Sequence, residues 1–108
     1  MICTSADLQD GGDGVRFVVA RPAGEVAAFV VRFDGRVYAY LNRCAHVPIE
    51  LDWVPGRFFD ESRRYLICAT HGAMYLPDTG RCVAGPCRNG RLEVLPVVER
   101  DGGVFLVG

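Results

Sequence analysis

The sequence predicts an all-β protein, built as an antiparallel sandwich or small barrel. Three observations predict it. Short runs of β-branched and aromatic residues recur along the chain, most clearly at 15–20, 25–33 and 36–41. Turn signals separate the runs at short intervals, as at Asp34-Gly35, Asp78-Thr79-Gly80, Asn89-Gly90 and Asp101-Gly102-Gly103. No stretch carries a long helical repeat of apolar residues.

The chain opens with at most a short turn of helix near residues 5–8. Gly11-Gly12-Asp13-Gly14 then makes a turn or loose loop. It precedes a strand rather than opening a helix, which speaks against a phosphate-binding loop. The run VRFVVA at 15–20 is β-branched and aromatic. Within 25–33, Ala27, Phe29, Val31 and Phe33 share one face. Asp34-Gly35 supplies a two-residue hairpin turn, of the type that needs positive φ at both central positions. The return strand 36–41 alternates Val37, Ala39 and Leu41 with Arg36, Tyr38 and Tyr40. Further strands are expected at 74–76, 81–83, 91–100 and 104–107. Pro22, Pro48 and Pro96 belong at edges or in loops. The first and last portions, roughly 1–42 and 84–108, then form a β base. Roughly 43–83 forms a smaller inserted subdomain, with the loops 44–50 and 68–75 at its tip.

A length of 108 residues suits one domain, and an apolar half supplies a small core. The net charge of −1 argues against a nucleic-acid or anionic-membrane surface. The first residues lack the basic region of a secretory signal, and no apolar run is long enough for a membrane span. A cytoplasmic location is therefore expected. Five cysteines, an odd number, fit poorly with a disulfide scaffold. In a reducing cytosol Cys3, Cys82 and Cys87 are expected as thiols. Cys82 and Cys87 are nevertheless close enough in sequence to pair if a tight loop brings them together.

The chemistry concentrates in two matched pieces, Cys44-Ala45-His46 and Cys68-Ala69-Thr70-His71, which hold both histidines of the chain. Each brings one thiolate and one imidazole to a single loop. A structural zinc ion held by two cysteines and two histidines is one reading, but its usual order is a cysteine pair followed by a histidine pair. Mixed loops suit a [2Fe–2S] centre with two cysteines on one iron and two histidines on the other. Two facing loops then put both sulfurs on one side and both imidazoles on the other.

C-x-H, a gap of 21 residues (47–67) and C-x-x-H-G together resemble the Rieske family. Thr79-Gly80-Arg81-Cys82 and Gly85-Pro86 are similar to its TGxC turn and to the proline loop that covers its cluster. The resemblance is strongest over residues 40–90. It implies a β base carrying a cluster-binding subdomain. It also implies one [2Fe–2S] cluster held by Cys44, His46, Cys68 and His71, with imidazole edges facing solvent for electron exchange. Some positions depart from the respiratory members. Ile49 and Thr70 stand where those proteins carry an extra disulfide, and Ala73 where they aim a serine hydroxyl at a bridging sulfide. Tyr75 keeps the tyrosine that lies near a ligand sulfur, with plain core packing as the competing reading. Fewer donors to sulfur imply a potential below the respiratory proteins.

Neutral imidazoles in place of two thiolates raise the potential. Rieske centres span roughly −150 to +300 mV, against about −400 mV for plant-type ferredoxins. Reduction makes the imidazoles more basic, so electron uptake is coupled to a proton. The chain does not fit a ring-hydroxylating oxygenase by itself, which needs a further iron on two histidines and a carboxylate. It also lacks a dinucleotide fingerprint. It is expected to act as an electron-transfer component, not as an enzyme alone. The first reading is a soluble Rieske-type ferredoxin between a reductase and a terminal oxygenase or reductase. The alternatives are a small subunit of a nitrite-reductase-like complex and a structural zinc module with an interaction role. Trp53, Phe58 and Phe59 are expected to pack beneath the cluster and exclude water. The sharper alternative leaves one of them exposed near the histidines as a partner anchor. Arg57, Asp60, Glu61, Arg63 and Arg64 read as a solvated turn.

Overall fold

The computed structural model describes residues 1–107 apart from His46 and Arg88. Among these residues the strands run β1 (Cys3–Thr4), β2 (Val15–Arg21), β3 (Gly24–Phe33), β4 (Arg36–Leu41), β5 (Leu66–Ile67), β6 (Met74–Tyr75), β7 (Cys82–Ala84), β8 (Val94–Leu95), β9 (Val97–Arg100) and β10 (Gly103–Leu106). They form three sheets, ordered β2-β3-β4-β8, β1-β10-β9 and β5-β6-β7, and neighbouring strands pair antiparallel. No helix among the described residues is long and apolar enough to cross a membrane.

The β3–β4 hairpin is the wall around which the molecule is built. Alternation puts Phe29 and Val31 on one side of β3 and Ala28 and Val30 on the other, and both sides are buried. β4 follows suit, with Tyr40 on the first side and Ala39 and Leu41 on the second. The first core also holds Cys44, Cys68, Leu51, Phe58 and Tyr75. The second holds Cys3, Leu8, Leu95 and Val104, so the two chain ends meet there. A tyrosine can sit in the first core because its hydroxyl finds a partner: Tyr40 donates to the Pro77 carbonyl at 2.7 Å. The turn is as the sequence predicts, with φ of 53° at Asp34 and 80° at Gly35 closing the pair Phe33 and Arg36.

One expectation needs correction. The single strand expected over 91–100 is two strands in different sheets, β8 beside β4 and β9 beside β10. Pro96 lies between them and has no N–H for a ladder, so the chain changes sheet there. β5 was not foreseen, because two residues are too few to show a period. The expected turn of helix near 5–8 is a 3-10 turn at Ser5–Asp7, which Asp7 caps by accepting from the Thr4 N–H at 3.0 Å.

Candidate metal centre

The first candidate ligand loop leaves β4 at Leu41 and folds back at once. The Cys44 N–H donates to the Ile49 carbonyl at 2.8 Å, and the Ile49 N–H to the Val47 carbonyl at 2.8 Å. This holds Cys44 inward, at 2% exposure. The second loop joins β5 to β6. The Cys68 N–H donates to the Ala73 carbonyl and the Gly72 N–H to the Cys68 carbonyl, each at 2.8 Å. Cys68 is fully buried, while His71 at the loop's outer edge is exposed.

Cys44 and Cys68 come within hydrogen-bonding reach of each other. Burial pushes the Cys68 thiol up, with the contact to Cys44 adding to the rise, and the peptide N–H groups of His71 and Thr70, aimed at its sulfur, offset only part of it. Tyr75 Oη lies 3.3 Å from Cys44 Sγ and accepts the Ala45 N–H at 3.0 Å. Burial first, then the contact with Cys44, keeps the Tyr75 proton in place. Neutral thiols gain little from so many donors. Sulfurs carrying negative charge, or bound to a metal, gain much, so this pocket fits a metal–sulfur group. His46 lies outside the described residues. Among the described residues, no three His, Cys, Asp or Glu side chains gather closely enough to hold one ion.

A buried polar network braces both loops. Asn42 donates to Asp52 Oδ1 at 2.9 Å and accepts the Leu51 N–H at 2.8 Å. Asp52 Oδ2 accepts the Gly56 N–H at 2.9 Å and lies 3.4 Å from the Arg16 guanidinium. The Leu51 carbonyl in turn accepts the Ala69 N–H at 2.9 Å, next to Cys68. Thus the end of β4, the 50–56 segment and the second ligand loop are one hydrogen-bonded unit. The reading of the sequence missed this network.

A family model described as the Rieske [2Fe-2S] domain matches residues 1–99. The chain belongs to this family. Known structures agree. The Sphingomonas yanoikuyae B1 ferredoxin is 26% identical with a TM-score of 0.74, over 99% of this chain and 95% of that one. A chain from the complex of reduced oxygenase and oxidized ferredoxin in carbazole 1,9a-dioxygenase is 25% identical with a TM-score of 0.74, over 99% and 90%. The terminal oxygenase of carbazole 1,9a-dioxygenase from Novosphingobium sp. KA1 is 26% identical with a TM-score of 0.74, over 95% of this chain but 27% of the oxygenase. No curated protein matches the sequence.

Two expectations about this Rieske domain are overturned near the site. Cys82 and Cys87 are not thiols; they form a disulfide, with Cα atoms 5.7 Å apart. Gly85-Pro86 makes the tight loop between them. A methyl at Gly85, whose φ is 82°, would come 2.8 Å from the Gly72 carbonyl oxygen and 2.9 Å from Ala73 Cα. The disulfide-closed loop therefore lies directly on the second ligand loop. Trp53 does not pack beneath the site: it is 78% exposed. Phe58 does, stacked on Phe29 at 3.9 Å, and Phe59 is half-buried against Phe33. The exposed side chain leaves the anchor alternative standing. The 60–65 stretch is a polar turn, with Asp60 accepting from the Ser62 hydroxyl at 2.8 Å and the Tyr65 N–H at 3.3 Å.

Proposed function

We propose that this chain is a one-electron carrier holding one Rieske-type [2Fe–2S] cluster, with Cys44 and Cys68 on one iron and His46 and His71 on the other. The observation that carries the reading is the buried Cys44–Cys68 pair, ringed by donors from Tyr75, Thr70 and His71. When bound, the cluster supplies a one-electron couple. The chain's own residues do the rest. Phe58, Leu51 and Leu66 pack with both cysteines and keep water from the sulfurs. Tyr75 and the loop N–H groups stabilise negative charge on those sulfurs. His71, on the exposed rim, offers an edge through which an electron can pass.

The partners follow from the relatives. A ferredoxin and a ferredoxin–oxygenase complex are among the similar structures, so the donor is proposed to be a reductase and the acceptor an oxygenase. A base at roughly 1–42 and 84–108, a cluster-bearing part at roughly 43–83 and a cytoplasmic setting complete the proposal. Anaerobic purification with visible and electron paramagnetic resonance spectra tests it. A Rieske-type signal upon reduction, with one cluster per chain, is expected. A colourless protein with one zinc ion would end the carrier reading.

A further inference from the structure

The charge beside the ligand loops has the opposite sign to that of the whole chain. We propose that the face framed by Arg43, Arg81 and Arg91 docks the acidic face of an electron-transfer protein. The inference rests on the carrier reading above and adds the chemistry of the partner.

The whole chain carries −1. Three acidic side chains stand near this face: Glu50 and Glu93, each already matched by an arginine of β2, and Asp78, which lies beside Thr79, acts with Arg91 on the Tyr40 hydroxyl and offsets one of the three arginines. Arg16 holds Glu50 at 2.8 Å and Arg21 holds Glu93 at 2.7 Å. Arg43, Arg81 and Arg91 are exposed and form no ion pair with any described residue. Arg91 donates to the neutral Thr79 carbonyl at 3.4 Å, so with Asp78 set against one of the three arginines the face still keeps a positive excess.

The three arginines frame one continuous surface at the first ligand loop. Arg43 and Arg91 line a cleft of about 300 Å³ together with Cys44, Ala45 and Pro48. Arg81 and Arg91 line a second, of about 840 Å³, together with Cys82 and Gly90. Arg91 belongs to both. A methyl at Gly90 would come 3.0 Å from Ala45 Cβ, so the second cleft abuts the first loop. Arg81 and Arg91 also oppose each other across an isolated antiparallel bridge. Like charges placed opposite are destabilising, and an acidic side chain set between them removes that cost. Charge complementarity of this kind steers encounter and fixes orientation. Here it would bring a partner against Cys44 and its neighbours rather than against the far end of β4.

The test uses the cluster-loaded chain, reduced and then oxidised in stopped flow. Hexacyanoferrate(III) is the anionic reagent and hexaammineruthenium(III) the cationic one. The rate with the anion is expected to fall as ionic strength rises and the rate with the cation to rise, the reverse of what a chain of charge −1 would give. Arg43→Glu/Arg91→Glu should slow the anion at low salt by about tenfold and invert its salt slope. Arg36→Glu/Arg64→Glu makes the same change of net charge elsewhere on the surface, and should alter that rate less than about twofold. A calorimetric titration of the oxidised protein with oxidised plant-type ferredoxin, an acidic carrier, should give a low-salt complex that the Arg43/Arg91 variant loses. A cation preference in the unaltered chain, or an Arg43/Arg91 variant with unchanged slope, overturns the proposal. Attraction of the small anion without binding of the acidic protein overturns it as well. If the double variant fails to hold its cluster, Arg81→Glu alone takes its place. A chain that never shows a [2Fe–2S] spectrum fails earlier and differently: that outcome ends the carrier reading itself.

Discussion

Tyr75 is fully buried, and its hydroxyl reaches the ligand loop from inside the core. Its oxygen takes the Ala45 N–H, which leaves the phenolic hydrogen to face Cys44. A donor aimed at a ligand sulfur stabilises the electron-rich, reduced state more than the oxidised one. Tyr75→Phe keeps the ring and removes that donor. The midpoint potential should then fall by tens of millivolts, since a hydrogen bond of about 1 kcal/mol corresponds to roughly 40 mV for one electron. Protein-film voltammetry measures this directly; an unaltered potential would mean that the hydroxyl serves Ala45 alone. At this scale the sequence is half legible. Cysteine, histidine and tyrosine announce themselves by type and spacing. The peptide N–H groups of Thr70 and His71 do not, because every residue but proline carries one and only the loop's shape aims it.

The segment between the ligand loops shows what decides the fate of an aromatic side chain. Trp53 and Phe58 look alike to any count of apolar residues, yet one is 78% exposed and the other fully buried. The difference comes from Asp52. Its carboxylate holds the Gly56 N–H and the Asn42 amide, which folds 52–56 into a turn with Trp53 on the outside. Phe58→Ala should cost about 3–5 kcal/mol by opening a cavity against Phe29, while Trp53→Ala should change stability by less than about 0.5 kcal/mol. Urea unfolding of both variants checks the contrast, and equal losses would refute the burial argument. Asp52→Ala should cost about 2–4 kcal/mol, since it strands the buried Asn42 amide and the Gly56 N–H. It should also speed bleaching of the cluster's visible absorbance, because Leu51 is the brace for Ala69. A variant that melts lower but bleaches at the original rate would separate the brace from the site. The long strands β3 and β4 were legible because sustained alternation of apolar and polar side chains is the pattern that a pleated backbone imposes. The pairing of Cys82 with Cys87 was not, because it depends on a turn whose closure no residue count reveals.

The whole molecule is two cores that share one hairpin wall, and its all-β character was legible while the sharing was not. A strand with one wet face and a strand buried on both faces differ little when the second face is made of Ala28, Val30 and Ala39. Arg32, itself a β3 residue, adds polar ties to the apolar packing that joins the second core to the wall. Its guanidinium donates to the Leu8 carbonyl at 2.9 Å, the Ser5 carbonyl at 3.3 Å and the Gly35 carbonyl at 3.2 Å. It also grips Glu99 of β9, with Nη1 3.0 Å from Oε1. One cation thus joins the N-terminal turn, the β3–β4 turn and the sheet of the chain ends. Its hydrogen bonds to Glu99 hold that carboxyl down to about 2, well below the ordinary range. A depressed folded pKa means that the folded state binds fewer protons than the unfolded one in this window. The contribution is therefore complete above the unfolded value, near 4.5, and is lost as pH falls from there toward about 2. With a Glu99 side chain 29% exposed, solvent screening trims it to the order of 1 kcal/mol. Glu99→Gln should lower stability by that amount at pH 7 and by progressively less from pH 5 to pH 3, where roughly half of the gap should close. Thermal melts of both proteins across that range give the difference at each pH, which cancels any acid effect on the cluster. A gap that stays constant from pH 7 to pH 3 would show that Arg32 holds the sheets together through its carbonyl contacts, with the ion pair contributing nothing that titrates.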